Sequence, residues 1–224
     1  MKSKLFILLT VLFFLATIFA QEKTMYVMKN GEIALEVPVS EIDSIIFYKP
    51  KTTQQDFVLI DGVKWATRNV DALGTFAANP EDAGMFYQWN RKKAWSATGD
   101  VTGWDETMPE GDTWETTNNV CPTGYRVPTD AEIQSLLAFG SQWTTQNGVT
   151  GRVFGSGDNT LFLPAAGFRY YSYGTLGGAG SLGYYWSSTQ DGTTNAYYLD
   201  FNSSRASRNS YDRNDGFSVR CVAD

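Results

Sequence analysis

Histidine is missing from all 224 residues, and that absence removes more chemistry than any other feature of the chain. Ser-His-Asp and Cys-His catalysis are excluded within this polypeptide, as is every metal site built on imidazole. Cysteine occurs twice, at Cys121 and Cys221. If those two are bridged, no thiol remains for zinc or redox work. The sequence has no Walker loop, no Gly-x-Gly-x-x-Gly opening a helix and no EF-hand loop. It also lacks a second long apolar run that could cross a bilayer after the first.

The one such run, Leu5 to Phe19, follows the basic start Met1-Lys2-Ser3-Lys4 and ends at Ala20 before Gln21. A basic start, an apolar core of about fifteen residues and a small residue at the end mark a secretory signal peptide over residues 1–20. A transmembrane anchor is the alternative, but a span needs about 20 apolar residues. The expected product is therefore residues 21–224, secreted or held at the cell surface, with no membrane insertion of the mature chain. Removing Lys2 and Lys4 takes the formal charge from -6 to -8. An acidic surface repels phosphate backbones, which argues against nucleic acid as a partner. In an oxidising compartment Cys121 and Cys221 are expected to pair. Two buried free thiols are the alternative.

Turn and strand signals divide the exported chain. Residues 21–55 read as a small β-rich appendage and linker. It holds a strand from Met25 to Lys29, an Asn30-Gly31 turn and a return from Glu32 to Val37. A capped helical turn at Ser40-Glu41-Ile42-Asp43, a strand from Ile45 to Tyr48 and a polar linker at 50–55 follow. Residues 56–224 read as one main domain. It opens with Phe57–Ile60, an Asp61-Gly62 turn and Val63–Thr67. Met85 to Trp89 suggests a short buried strand, and residues 96–119 suggest a long surface loop. The helix starts at Thr129, where Thr129 and Glu132 form a capping box; Ile133, Leu136 and Leu137 make its apolar stripe and Gly140 ends it. Short strands are expected at Arg152–Phe154, Thr160–Leu163, Tyr184–Ser188, Ala196–Phe201 and Phe217–Val222. Alternation in the fourth puts Tyr197, Leu199 and Phe201 on one face, and Tyr198 and Asp200 on the other. Many short strands with one helix predict an α+β fold with antiparallel sheets.

Five blocks in this order carry a family resemblance. They are Gly62 to Val70, Cys121 to Pro128 with Asp130-Ala131-Glu132, Leu161 to Arg169, Gly183 to Ser188, and Gly216 to Val222. Together they resemble the Fibrobacter succinogenes major paralogous domain, a family of secreted bacterial domains, over about residues 56–224. The resemblance implies a C-type-lectin-like fold, related to formylglycine-generating enzymes and to the variable proteins of diversity-generating retroelements. The hairpin and the Ser40 to Ile45 segment resemble a leader common in surface proteins of gut Bacteroidetes-type bacteria.

Such a fold implies ligand recognition through the loop-rich C-terminal half. Residues 190–215 are Asp, Gly, Thr, Asn, Tyr, Ser or Arg at 21 of 26 positions, a composition suited to binding a glycan or a protein. A solvated loop with no ligand has the same composition. Tyr198, Asp200, Asn202, Arg205, Arg208, Tyr211 and Arg213 are the candidate ligand-binding residues, with Tyr170, Tyr171 and Tyr173 in a second rank. Residues 191–215 lack Lys, Glu, Gln, Met and Trp, as adenine-directed retroelement diversification would also leave them. Asp212, Asn214 and Asp215 are read as turn formers, so calcium is left open and unassigned, and no other cofactor is implied.

The chain is not expected to be an enzyme. The closing block Gly216 to Cys221 is similar to that of formylglycine-generating enzymes, but their chemistry needs a reactive cysteine pair besides the structural cysteine. Glycosidase chemistry needs two carboxylates in one cleft, and Asp105, Glu106, Glu110 and Asp112 sit in a polar loop. A structural or adhesive accessory subunit of a surface or fimbrial assembly is the alternative role.

Overall fold

The computed structural model describes residues 23–29, 31–42 and 56–224, and the chain forms two compact units, residues 1–54 and 55–224. The expected signal peptide, the Ile45 to Tyr48 strand and the 50–55 linker lie outside the described residues. No helix among the described residues is long and apolar enough to cross a membrane.

In the smaller unit β1 (Thr24–Lys29) pairs antiparallel with β2 (Glu32–Pro38), and Gly31 turns between them at φ 86°. The helical turn is shorter than the sequence suggested. It is a single 3-10 turn, Val39–Glu41, with Pro38 at its N-terminal boundary and no capping side chain. The Val39 N–H instead donates to Lys23 O at 2.7 Å, so the preceding hairpin satisfies the group that a cap would have served.

The larger unit opens with β3 (Phe57–Ile60) and β4 (Val63–Ala66). Asp61 and Gly62 both hold positive φ, 50° and 77°, as a two-residue hairpin turn requires. Next come β5 (Met85–Gln88), β6 (Ala94–Ser96), β7 (Tyr125–Arg126) and the helix α1 (Asp130–Ala138). Thr129 Oγ1 accepts the Glu132 N–H and the Glu132 carboxylate accepts the Thr129 N–H, the capping box that the sequence predicts. Glu132 is further gripped by both Nη atoms of Arg126, at 2.7 and 2.9 Å.

Ten strands follow the helix: β8 (Ser141–Gln146), β9 (Val149–Ser156), β10 (Asn159–Pro164), β11 (Phe168–Arg169), β12 (Leu176–Gly177), β13 (Gly183–Asp191), β14 (Asn195–Phe201), β15 (Ala206–Asp212), β16 (Gly216–Phe217) and β17 (Val222–Ala223). Every pairing of named strands is antiparallel, in sheets ordered β3-β4-β17-β7, β12-β11-β16-β5-β6, β10-β9-β8 and β13-β14-β15. The α+β class is therefore as expected. Three local expectations need correction. The expected last strand is split into β16 and β17, because residues 218–221 bond to several different segments. Ser218 exchanges backbone hydrogen bonds with Tyr184 and Trp186, Val219 O accepts from Val70 and Cys221 O from Ala66. Residues 206–212, read as loop from their polar composition, form a seven-residue strand on β14. The 96–119 stretch is not purely a surface loop. Trp114 is buried and its N–H reaches Ser188 O, while Trp104 packs on Trp95 at 4.7 Å.

The sheet β13-β14-β15 separates two apolar clusters. One gathers Trp89, Trp186, Tyr198, Phe217, Val219 and Cys221; the other gathers Ile133, Leu136, Phe154, Leu199 and Phe201 beneath α1. The alternation of Tyr198 against Leu199 and Phe201 along β14 divides the two. Trp186 stacks on Phe217 at 4.0 Å, and its indole N–H satisfies Tyr87 O at 2.8 Å. Cys121 and Cys221 are joined by a disulfide, and both are buried in the first cluster. Arg220 in the closing block is wholly buried and donates to Asn69 Oδ1 and Ala66 O, which makes it a structural residue.

Candidate functional site

The seven residues chosen from composition do not form one surface. Cross-strand partners share a face, so the register sorts them. Tyr184, Asp200 and Ser207 lie in one row across β13, β14 and β15; Trp186, Tyr198 and Asn209 form the next, and Ala196 with Tyr211 the third. Arg208 pairs with Leu199, on the opposite face. There its Nε donates to Asp130 Oδ1 of α1 at 2.6 Å, and its guanidinium lies 3.6 Å from the Tyr197 ring centroid.

Burial removes three more candidates from the surface. Tyr198 is 5% exposed and belongs to the core. Arg213 is 2% exposed and donates to Gly111 O, Gly192 O, Asn195 O and Gln190 Oε1 while lying over Trp89. Four acceptors from separate segments engage the guanidinium, which makes it a clamp between loops, not a ligand-reading group. Asp200 is also buried, accepting from Ser207 Oγ at 2.6 Å and from Arg205 Nη2 at 3.4 Å. Asn202 half-faces solvent, but its Oδ1 accepts the N–H groups of Ser204 and Arg205 and so shapes the β14–β15 turn. Arg205 and Tyr211 remain exposed on the Tyr198 side.

What stands there beside them is the second-rank set. Tyr170, Tyr171 and Tyr173 are 42%, 45% and 80% exposed on the turn after β11. Aromatic contacts run from Tyr170 to Phe168 (4.6 Å), Phe168 to Tyr184 (4.6 Å), Tyr184 to Tyr198 (5.1 Å) and Tyr198 to Tyr211 (6.5 Å). Tyr184 and Tyr198 thus form the floor between the exposed rings of Tyr170 and Tyr211. Burial pushes the Tyr184 hydroxyl up, and the nearby Asp200, Tyr211 and Tyr170 add to the shift against Arg205. Tyr211 is raised in the same way by burial and then by Asp215, Asp212, Tyr170 and Tyr171. Both hydroxyls therefore stay protonated at neutral pH, able to donate as well as accept. Tyr184 was absent from the candidates because a half-buried ring in a strand reads as packing.

The turn that presents these rings is held from below. Tyr173 has φ 61°, a left-handed conformation that a bulky side chain rarely adopts. Its N–H donates to Glu106 Oε1 at 3.0 Å, and the Tyr171 N–H to Asp215 Oδ1 at 2.9 Å. Trp104 Nε1 donates to Tyr171 O and Arg169 Nη1 to Gly174 O. Gly174 is required beside Trp104, since a Cβ there would stand 2.5 Å from the indole. Four hydrogen bonds, from residues 104–106, Asp215 and the adjoining Arg169, fix a strained turn whose tyrosines are exposed.

A separate cavity of about 240 Å³ lies between residues 113–119 and the start of α1. Most of its charged and amide groups are already engaged. Arg126 holds Glu132, and Asn119 bonds Tyr125 O and the Cys121 N–H. Among the described residues no cluster of three or more acidic, cysteine or histidine side chains could hold a metal ion.

No curated protein and no solved structure gives a match to this chain. The family model of the Fibrobacter succinogenes major domain matches residues 58–223, spanning all five sequence blocks from β3 to β17, and on that match the chain belongs to the Fibrobacter succinogenes major domain family.

Proposed function

We propose that this protein is an exported, non-catalytic binding module, secreted or at the bacterial cell surface, with a C-type-lectin-like fold. It recognises a glycan or protein ligand through the face made by Tyr170, Tyr171, Tyr173, Tyr184, Tyr211 and Arg205. The observation that carries this reading is the turn at Tyr170–Gly174. A strained backbone, held by two carboxylates, an indole and a guanidinium, presents three exposed tyrosines. Rigid aromatic rings give contact area at low entropic cost, and the rim of Arg205, Asn209 and Ser207 offers adaptable hydrogen bonds. Tyrosine rings stack on sugars as readily as on protein.

The adhesive or accessory-subunit reading has one observation in its favour. The small unit exposes Tyr26, Val27, Ile33 and Leu35 on its hairpin. Deleting it should relieve self-association if it is a joint between subunits.

A glycan-array screen of residues 21–224, with calcium and again with chelator, tests the first reading. Tyr170→Ala with Tyr211→Ala should abolish any hit at unchanged melting temperature, while Arg208→Ala, on the opposite face, should not. Binding that survives the tyrosine pair but is lost with Arg208 would place the site beside α1.

A further inference from the structure

Asp215 is fully buried beneath the tyrosine turn, and only one of its two carboxylate oxygens has a partner. Oδ1 accepts the Tyr171 N–H, whereas Oδ2 has no hydrogen-bond partner in the protein. A buried carboxylate half satisfied in this way is costly when ionised.

The surroundings offer it no counter-charge. Asp212 closes the same turn, with its carbonyl accepting the Asp215 N–H, and its carboxylate opposes ionisation. Tyr198 of β14 and Tyr211 of β15 face it with hydroxyls that its charge pushes up. From the third side Glu106 reaches the turn through its carbonyl, which accepts from Asn214 Nδ2, and through its carboxylate on the Tyr173 N–H. The two nearby arginines are committed elsewhere: Arg213 to Gly111, Gln190, Gly192 and Asn195, and Arg169 to Ser96, Thr98, Gly99 and Gly174.

We propose that Asp215 is a positioning residue that makes the binding-competent form of the tyrosine turn depend on pH, closed when Asp215 is protonated and loosened when it is ionised. The proposal rests on the reading of that face as the recognition site. Burial, reinforced by Asp212, raises the Asp215 carboxyl to about 7. A carboxyl whose value is raised in the closed form favours that form below its value in water, and the advantage is lost as pH rises through 7. Lifting the turn admits water to Oδ2, relieves the buried charge and releases Tyr171. With about 3.9 for the hydrated carboxyl, linkage gives a roughly thirtyfold change in the opening equilibrium between pH 5.5 and 8.

The test is the protection factor of the Tyr171 amide, measured by hydrogen exchange at pH 5.5 and 8 on the protein without ligand. The native chain should lose protection by more than tenfold at the higher pH. Asp215→Asn keeps an acceptor for Tyr171 and cannot ionise, so its protection should be flat. Asp212→Asn should move the transition to lower pH. A flat profile in the native protein, or a pH dependence that survives Asp215→Asn, overturns the proposal. The same glycan array run at both pH values separates the two readings. A blank array with a pH-dependent Tyr171 amide removes the glycan reading and leaves the turn's behaviour standing; hits with a flat amide do the reverse.

Discussion

Replacing both cysteines tests how far one covalent link supports the larger unit. Cys121 lies just before β7 and Cys221 just before β17, 100 residues apart in sequence. The loop they close contains α1 and every strand of the β10-β9-β8 and β13-β14-β15 sheets, so most of the second half of the protein is tethered by it. In the chain-entropy account a closed loop of that length contributes about 4.7 kcal/mol by restricting the unfolded chain. For a unit of about 170 residues, an unfolding entropy of about 2.1 cal/mol/K per residue converts this to a fall of about 13 °C in melting temperature. The assay is thermal and urea unfolding of the Cys121→Ala, Cys221→Ala double variant. Mild reductant on the native protein is a poorer probe, because Cys221 is 0% exposed and Cys121 5%. The urea m-value should fall little, or rise, because the uncrosslinked chain exposes more surface on unfolding. A loss under about 1 kcal/mol would refute the reasoning, since the unfolded chain would then be compact without the link.

Two further substitutions separate structure from recognition. Arg213→Ala should cost about 3 kcal/mol or more in urea unfolding, because four acceptors around the buried guanidinium lose their donor. Unchanged stability with lost binding would return Arg213 to the ligand face. Gly183→Ala places a Cβ 2.0 Å from Phe201 Cζ, a ring packed against Phe154, Trp143 and Tyr185. The expected cost is about 3 kcal/mol by overpacking, and a loss below about 1 kcal/mol would mean that the ring can move aside.

Much of the framework was written locally in the chain. Asp61-Gly62 and Thr129 with Glu132 act within a few residues, through φ preferences and capping hydrogen bonds, so a reader of the sequence can place the turn and the helix start. Period-two alternation likewise divided Tyr198 from Leu199 correctly. That alternation could not say that both faces of β14 are covered, and so Tyr198 and Asp200 were taken as surface groups. Residues 206–212 hide their strand for a related reason. Ala-Ser-Arg-Asn-Ser-Tyr-Asp carries little apolar signal, and its strand form depends on backbone pairing with β14.

The sequence by itself determined the α+β class, the family, the helix and the lack of histidine chemistry, because each rests on residue identity or short-range spacing. Which polar residues remain at the surface was decided only by the tertiary structure. Arg208 and Tyr211, three residues apart, point to opposite sides of one sheet, while Arg213 turns inward to join loops distant in sequence. Tyr170, Tyr184 and Tyr211 meet from three separate segments. Exposure and convergence are sums over contacts far apart along the chain, and no local pattern encodes them.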